Sequence, residues 1–254
     1  MGGLTVLAEL AAALPQEDFI YLGDTARLPY GTKSPATVQS YALQASKALV
    51  AKQVKALVVA CNTASGLALP SLQDAYPELP IFGVVEPGAH AAYAKADSSG
   101  VLVLATESTV DGGAYQRCLA QLDPQLPVQA RACPLWVTLA EMGDRDSELA
   151  QHILRADLPN DEEAEQPRTL LLGCTHFPVF KQTIQALRPN LNVVDSASTT
   201  AAWVAEQLAE AGLLKPQADK TSMRFLATDG AERFARIAEI FLGQPASQVE
   251  LVDL

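Results

Sequence analysis

Short runs of consecutive apolar residues alternate with helix-length stretches along almost the whole chain; "KALVVA", "GVLVLAT", "TLLLG" and "LNVVD" are the clearest. A strand that is apolar at every position must be covered on both faces. A parallel sheet with helices on either side does this. Strands are also expected at "DFIYLGD", "IFGVVE" (with Pro87-Gly88 following), "VQARACP" and, as the last one, "MRFLATD". Helices are expected over Leu4 to Leu14 and from a Ser34 cap with Pro35 to about Ala51. Others are expected through "ESTVDGGAYQRCLAQL" as one unit, over Ser147 to Arg155, and around Ala231 to Phe241. "TARLPYGTKS" reads as a loop, with Pro29 and Gly31 as breakers.

The 254 residues suffice for two compact α/β domains or one large one, and 49% hydrophobic content excludes wholesale disorder. The net charge of −11 disfavours direct nucleic-acid binding, which needs a basic face. It leaves a small anionic substrate open, held by backbone N–H groups and helix N-termini. No apolar run approaches the roughly 20 residues of a membrane span, and no basic segment leads into an apolar one as in a signal peptide. "MGGLTV" has Val6 where a myristoylation signal needs Ser or Thr. The cysteines (Cys61, Cys118, Cys133, Cys174) form no CxxC pair, which reads as free thiols in a reducing cytoplasm. His90, His152 and His176 are scattered, so no metal site is expected. The acidic stretch "LPNDEEAEQPRT" reads as a solvated loop.

Two segments share a form. "ALVVACNTAS" and "TLLLGCTHFP" each run from an apolar strand through a small residue and Cys into a polar turn before a helix. This places Cys61 and Cys174 at the carboxyl ends of strands, where ligands bind in open α/β sheets. A thiol beside a helix N-terminus should have a lowered pKa, giving some thiolate near neutral pH. Asn62, Thr63, Thr175 and His176 could hold a small polar ligand. Acyl transfer needs one such Cys and a base, and disulfide exchange prefers close pairs. Proton transfer at carbon uses two, one thiolate and one thiol on opposite faces of an amino acid, and two equivalent turns fit it best. Cys118 and Cys133 read as apolar filler.

With "GGLTVL", "YLGDTARLPYGTKS", "VVACNTAS", "GVVEPGA", "ACPLWVTLAE", "LLLGCTHFP" and "VVDSA" in this order, and a weaker "FLATDGAERF", the chain resembles the glutamate racemases of the aspartate/glutamate racemase group. The resemblance implies two doubly wound α/β domains with mainly parallel sheets facing each other across a cleft. One would comprise residues 1–88 completed by 197–254, the other 89–196. It implies interconversion of L- and D-glutamate without a cofactor, supplying D-glutamate for peptidoglycan in the bacterial cytoplasm. By motif, Cys61 and Cys174 are the acid/base pair, with Glu141 and His176 assisting the second. Tyr30, Gly31, Asn62, Thr63, Thr175 and His176 would contact substrate. Asp24 is expected to fix its turn. The resemblance allows a homodimer without requiring one.

The family pattern starts with an apolar strand ending in Asp-Ser-Gly, and this chain starts at the Gly-Gly-Leu that follows. Neighbouring strand edges are therefore expected to lie unpaired, and the natural protein is expected to start upstream of Met1. If the chain does start at Met1, racemase activity is expected to be weak or absent, with removal of the α-proton by Cys61 most affected. Two other readings compete. One is a racemase of aspartate or another small acid. The other is a protein-binding role of the gyrase-inhibitor kind.

Overall fold

The computed structural model describes residues 1–160, 166–216, 221–246 and 248–254. The acidic run at 161–165 lies outside the described residues.

The middle of the chain builds a four-stranded sheet from β4 (Val101–Ala105), β5 (Val128–Ala132), β6 (Thr169–Gly173) and β7 (Asn192–Asp195), in the order β5-β4-β6-β7. All neighbours are parallel. Every residue of β4 and β6 is buried, as their apolar runs require, and the hydroxyl of Thr169 at the start of β6 donates to the Lys95 carbonyl. The period of two then sorts their side chains. Leu102, Leu104, Leu170 and Leu172 face one core with Trp136, Phe177 and Phe180, while Val101, Val103 and Leu171 face another with Tyr115 and Leu119. Burying each such side chain contributes about 1.5–3 kcal/mol.

Strands from both ends of the chain form the rest. β1 (Phe19–Gly23) pairs in parallel with β8 (Met223–Ala227), and β8 with β9 (Val249–Leu251). β2 (Leu57–Val59) pairs in parallel with β3 (Ile81–Gly83). Among the described residues neither β1 nor β2 has a second partner, and both border the same large cavity, so the unpaired edges expected from the sequence are present. This also corrects the reading of "KALVVA" as fully buried: only Leu57 is, and Val58 and Val59 are half-buried against the cavity.

Helices cover the sheets. In the first half these are α1 (Gly3–Ala13), α2 (Pro35–Val50), α3 (Asn62–Ala75) and α4 (Val85–Lys95). Ser34 caps α2 by accepting from the Thr37 N–H, with Pro35 at its first position. Pro87 and Gly88 lie inside α4, since the first turn of a helix needs no N–H from a proline. The expected single helix after β4 is two, α5 (Glu107–Asp111) and α6 (Ala114–Leu122), because Gly113 turns the chain at φ +62°. Next come α7 (Pro134–Met142), α8 (Glu148–Asp157), α9 (Lys181–Leu187), α10 (Ser196–Glu210) and α11 (Ala231–Leu242). "TARLPYGTKS" carries two short 3-10 turns, at Thr25–Arg27 and Tyr30–Thr32. β9 was not expected: its "VEL" is short and mostly exposed.

The chain passes between the two groups of strands within α4 and α10. These helices pack together, with His90 and Trp203 in ring contact at 5.4 Å.

Candidate active site

Cys61 leaves β2 at the N-cap of α3, and Cys174 leaves β6. Both turns open into a cavity of about 1050 Å³. All the residues that the sequence pointed to line it: Tyr30, Gly31, Cys61, Asn62, Thr63, Glu141, Cys174, Thr175 and His176.

On the Cys61 side, Asn62 and Thr63 are buried in the first turn of α3. Asn62 Nδ2 donates to the Tyr115 hydroxyl at 2.6 Å. Thr63 Oγ1 is 3.1 Å from Thr106 Oγ1 and 3.1 Å from Thr109 Oγ1. This hydroxyl cluster ties the Cys61 turn to the end of β4. The Tyr30 hydroxyl donates to Asp24 Oδ2 at 2.5 Å, and the Thr228 hydroxyl donates to Asp24 Oδ1 at 3.0 Å. Asp24 therefore fixes its turn, as expected, and holds Tyr30 in place. Gly31 is constrained by packing: a Cβ there would lie 3.1 Å from Thr106 Cβ.

On the Cys174 side a chain of polar contacts leads outward. Cys174 Sγ is 3.6 Å from His176 Nδ1, and His176 Nε2 is 3.3 Å from Glu141 Oε1. The far oxygen of Glu141 accepts from Arg233 of α11 at 3.3 Å. The Gly2 N–H also points at His176 Nε2, at 3.2 Å. Nε2 can accept from Gly2 or donate to Glu141, so the tautomer depends on the proton at Nδ1. With Nε2 protonated, Nδ1 is free to take the thiol proton of Cys174. Burial holds the imidazole pKa below its ordinary value, and the hydrogen bond from His176 holds the Glu141 carboxyl below its own.

The thiols depart from expectation. Burial pushes Cys61 up, against backbone N–H groups of Ala64 and Thr63 that pull it down. Burial, with a smaller push from nearby Cys61, raises Cys174 to about 12 against the backbone N–H of His176 that pulls it down. Desolvation of a thiolate outweighs a helix N-terminus. Moreover Cys174 precedes a 3-10 turn, Phe177–Phe180, rather than α9 itself. Of the bystanders, Cys133 is buried and Cys118 half-buried.

Sequence reasoning missed Thr106, Thr109, Tyr115 and Arg233. Thr106 had a usable signal, since it follows an apolar strand just as the cysteines do. The others sit on helices, where nothing local marks them. Among the described residues no group of three or more His, Cys, Asp or Glu could hold a metal, and no helix is long and apolar enough to cross a membrane.

Residues 4–204 match the family described as Asp/Glu/Hydantoin racemase. The chain belongs to this racemase family. It is 45% identical to the glutamate racemase of Geobacter metallireducens, over 100% of this chain and 94% of that one. The structure of glutamate racemase isoform RacE1 from Bacillus anthracis superposes with a TM-score of 0.90 at 37% identity, covering 100% and 94%. Glutamate racemase from Francisella tularensis, solved in complex with D-glutamate, gives a TM-score of 0.90 at 32% identity, covering 99% and 94%. As a racemase the protein is an isomerase, and the two-domain α/β fold of these relatives is its own.

Proposed function

We propose that the protein interconverts L- and D-glutamate by proton transfer at Cα between Cys61 and Cys174. One observation carries the reading: two cysteines from equivalent strand-to-turn positions open into one cavity, each on a different sheet. The similarity to glutamate racemases supplies the substrate and gives no support to the aspartate or protein-binding alternatives.

In this reading one cysteine, as thiolate, removes the α-proton while the other, as thiol, delivers a proton to the opposite face. The carbanion formed is consumed at once. The two sulfurs end with exchanged protonation states, so no net proton is taken up and no cofactor is needed. The substrate's ammonium enters beside two sulfurs whose nearby cation, the Met1 amino group, has its own pKa lowered by burial. The substrate's positive charge favours the thiolate and offsets burial. Asn62, Thr63, Thr175, Tyr30 and Gly31 bind the substrate's polar groups. Glu141 and His176 serve Cys174.

The domain division expected from sequence fits this arrangement. β1, β2, β3, β8 and β9 fall in residues 1–88 and 197–254, and β4 to β7 fall in 89–196. Opening of the cleft would then bend α4 and α10. By resemblance, the D-glutamate made would enter peptidoglycan.

Incubation with either enantiomer in heavy water tests the reading. Glutamate should exchange its α-hydrogen and racemise, and Cys61→Ala or Cys174→Ala should abolish full turnover. Failure of both enantiomers to exchange would reject the assignment.

A further inference from the structure

Tyr115 lies at a point where both cysteine-bearing turns meet. It is fully buried on α6. A Cβ on Gly173, which precedes Cys174, would lie 2.9 Å from Tyr115 Cε2; one on Gly88 in α4 would lie 3.1 Å from its hydroxyl oxygen. The ring thus occupies space that two glycines leave open. Its hydroxyl reaches the other turn, 2.6 Å from Nδ2 of Asn62, the residue after Cys61.

The Tyr115 hydroxyl has one hydrogen, which it donates to the Val84 carbonyl at 3.4 Å. A carbonyl can only accept. Asn62 Nδ2 donates to the tyrosine oxygen, whose other polar neighbours are the Val84 carbonyl and Ser196. The amide is thereby fixed with its oxygen turned away from Tyr115. Asn62 Oδ1 is buried and has no protein partner among the described residues, while Asn62 lines the cavity. A buried acceptor without a donor is unfavourable. An ammonium, which only donates, is the group that would satisfy it.

We propose that Tyr115 is a positioning residue: it locks the Asn62 amide so that the acceptor, and not the donor, is offered to the substrate's ammonium. This rests on the glutamate racemase reading above. Without the hydroxyl, the amide is free to turn its NH₂ toward the ammonium, donor against donor. Binding should then weaken more than the chemical step.

A double-mutant cycle with Tyr115→Phe and Asn62→Ala tests this, read by steady-state racemisation and by calorimetric titration of D-glutamate, with thermal unfolding in parallel. Tyr115→Phe keeps the ring and should raise KM, and weaken D-glutamate binding, about tenfold, with a smaller change in kcat. In the Asn62→Ala background the same substitution should change neither, because the group it acts through is gone. A tyrosine that only fills space would lower Tm and leave KM unmoved. That outcome, or effects that multiply in the double variant, overturns the proposal. A wild type that neither racemises nor binds D-glutamate overturns instead the reaction assigned above, and this role with it.

Discussion

At the scale of single residues, the proposed proton transfer depends on how two sulfurs, Cys174 buried and Cys61 half-buried, acquire one negative charge. Burial raises both thiols, Cys174 to about 12. The pH dependence of kcat/KM reports the free enzyme, so it should climb about tenfold per pH unit between pH 6 and 8.5 as the thiolate appears. The kcat profile reports the substrate complex, where the ammonium favours thiolate, and should level off at lower pH. Coincident profiles would show that substrate does not supply the missing charge. Farther out, Glu141 touches His176 from a half-buried position, whereas the Arg233 side chain is 67% exposed. Exposed pairs contribute little. Arg233→Gln should change racemisation less than about threefold, and Glu141→Gln should cost about a hundredfold or more. Equal losses in rate assays of the two variants would place the arginine inside the proton-handling chain. The cysteine turns and their neighbours were legible in the sequence because polar residues following an apolar strand stand out. Tyr115 and Thr109 were not, since a helix position facing the core looks the same whether it packs or positions.

At the scale of elements, α10 is held by its own first turn. Asp195, at the end of β7, accepts from the Ser198 N–H at 2.8 Å and from Lys181 Nζ at 2.7 Å. Burial opposes its charge, yet these partners prevail and keep its carboxyl below the usual range. A depressed carboxylate stabilises the fold fully above its unfolded pKa of about 3.9 and loses that contribution as pH falls through its folded value. Asp195→Asn should therefore cost about 1–2 kcal/mol at neutral pH, with the difference from wild type shrinking below about pH 4. A difference in denaturant melts that stays constant down to pH 2 would contradict this. β4 and β6 could be read directly because both are runs of consecutive apolar residues, broken only by Thr169 at the start of β6. The α5/α6 break was not, as its cause is the conformation of Gly113. β9 escaped because a three-residue, mostly exposed edge strand leaves almost no pattern.

At the scale of the whole molecule, both ends of the chain are needed for one wall of the site. The Thr228 hydroxyl reaches Asp24 across 204 residues of sequence, and Asp24 in turn holds Tyr30. On the opposite rim, Arg145 after α7 donates to the Ile240 carbonyl of α11, while Arg233 reaches Glu141. Deleting residues from 221 onward should abolish glutamate binding even if the β4–β7 sheet survives, and tyrosine fluorescence with calorimetry would check both halves of that statement. The pairing of β1 with β8 also has a consequence for how the protein is made. At about 5–20 residues per second, a ribosome needs on the order of 10–40 seconds to deliver β8 after β1 has emerged. Throughout that interval the edge of β1 that pairs with β8 is uncovered. The yield of the protein in cells should therefore depend on chaperones that shield extended apolar segments more than the stability of the finished fold suggests.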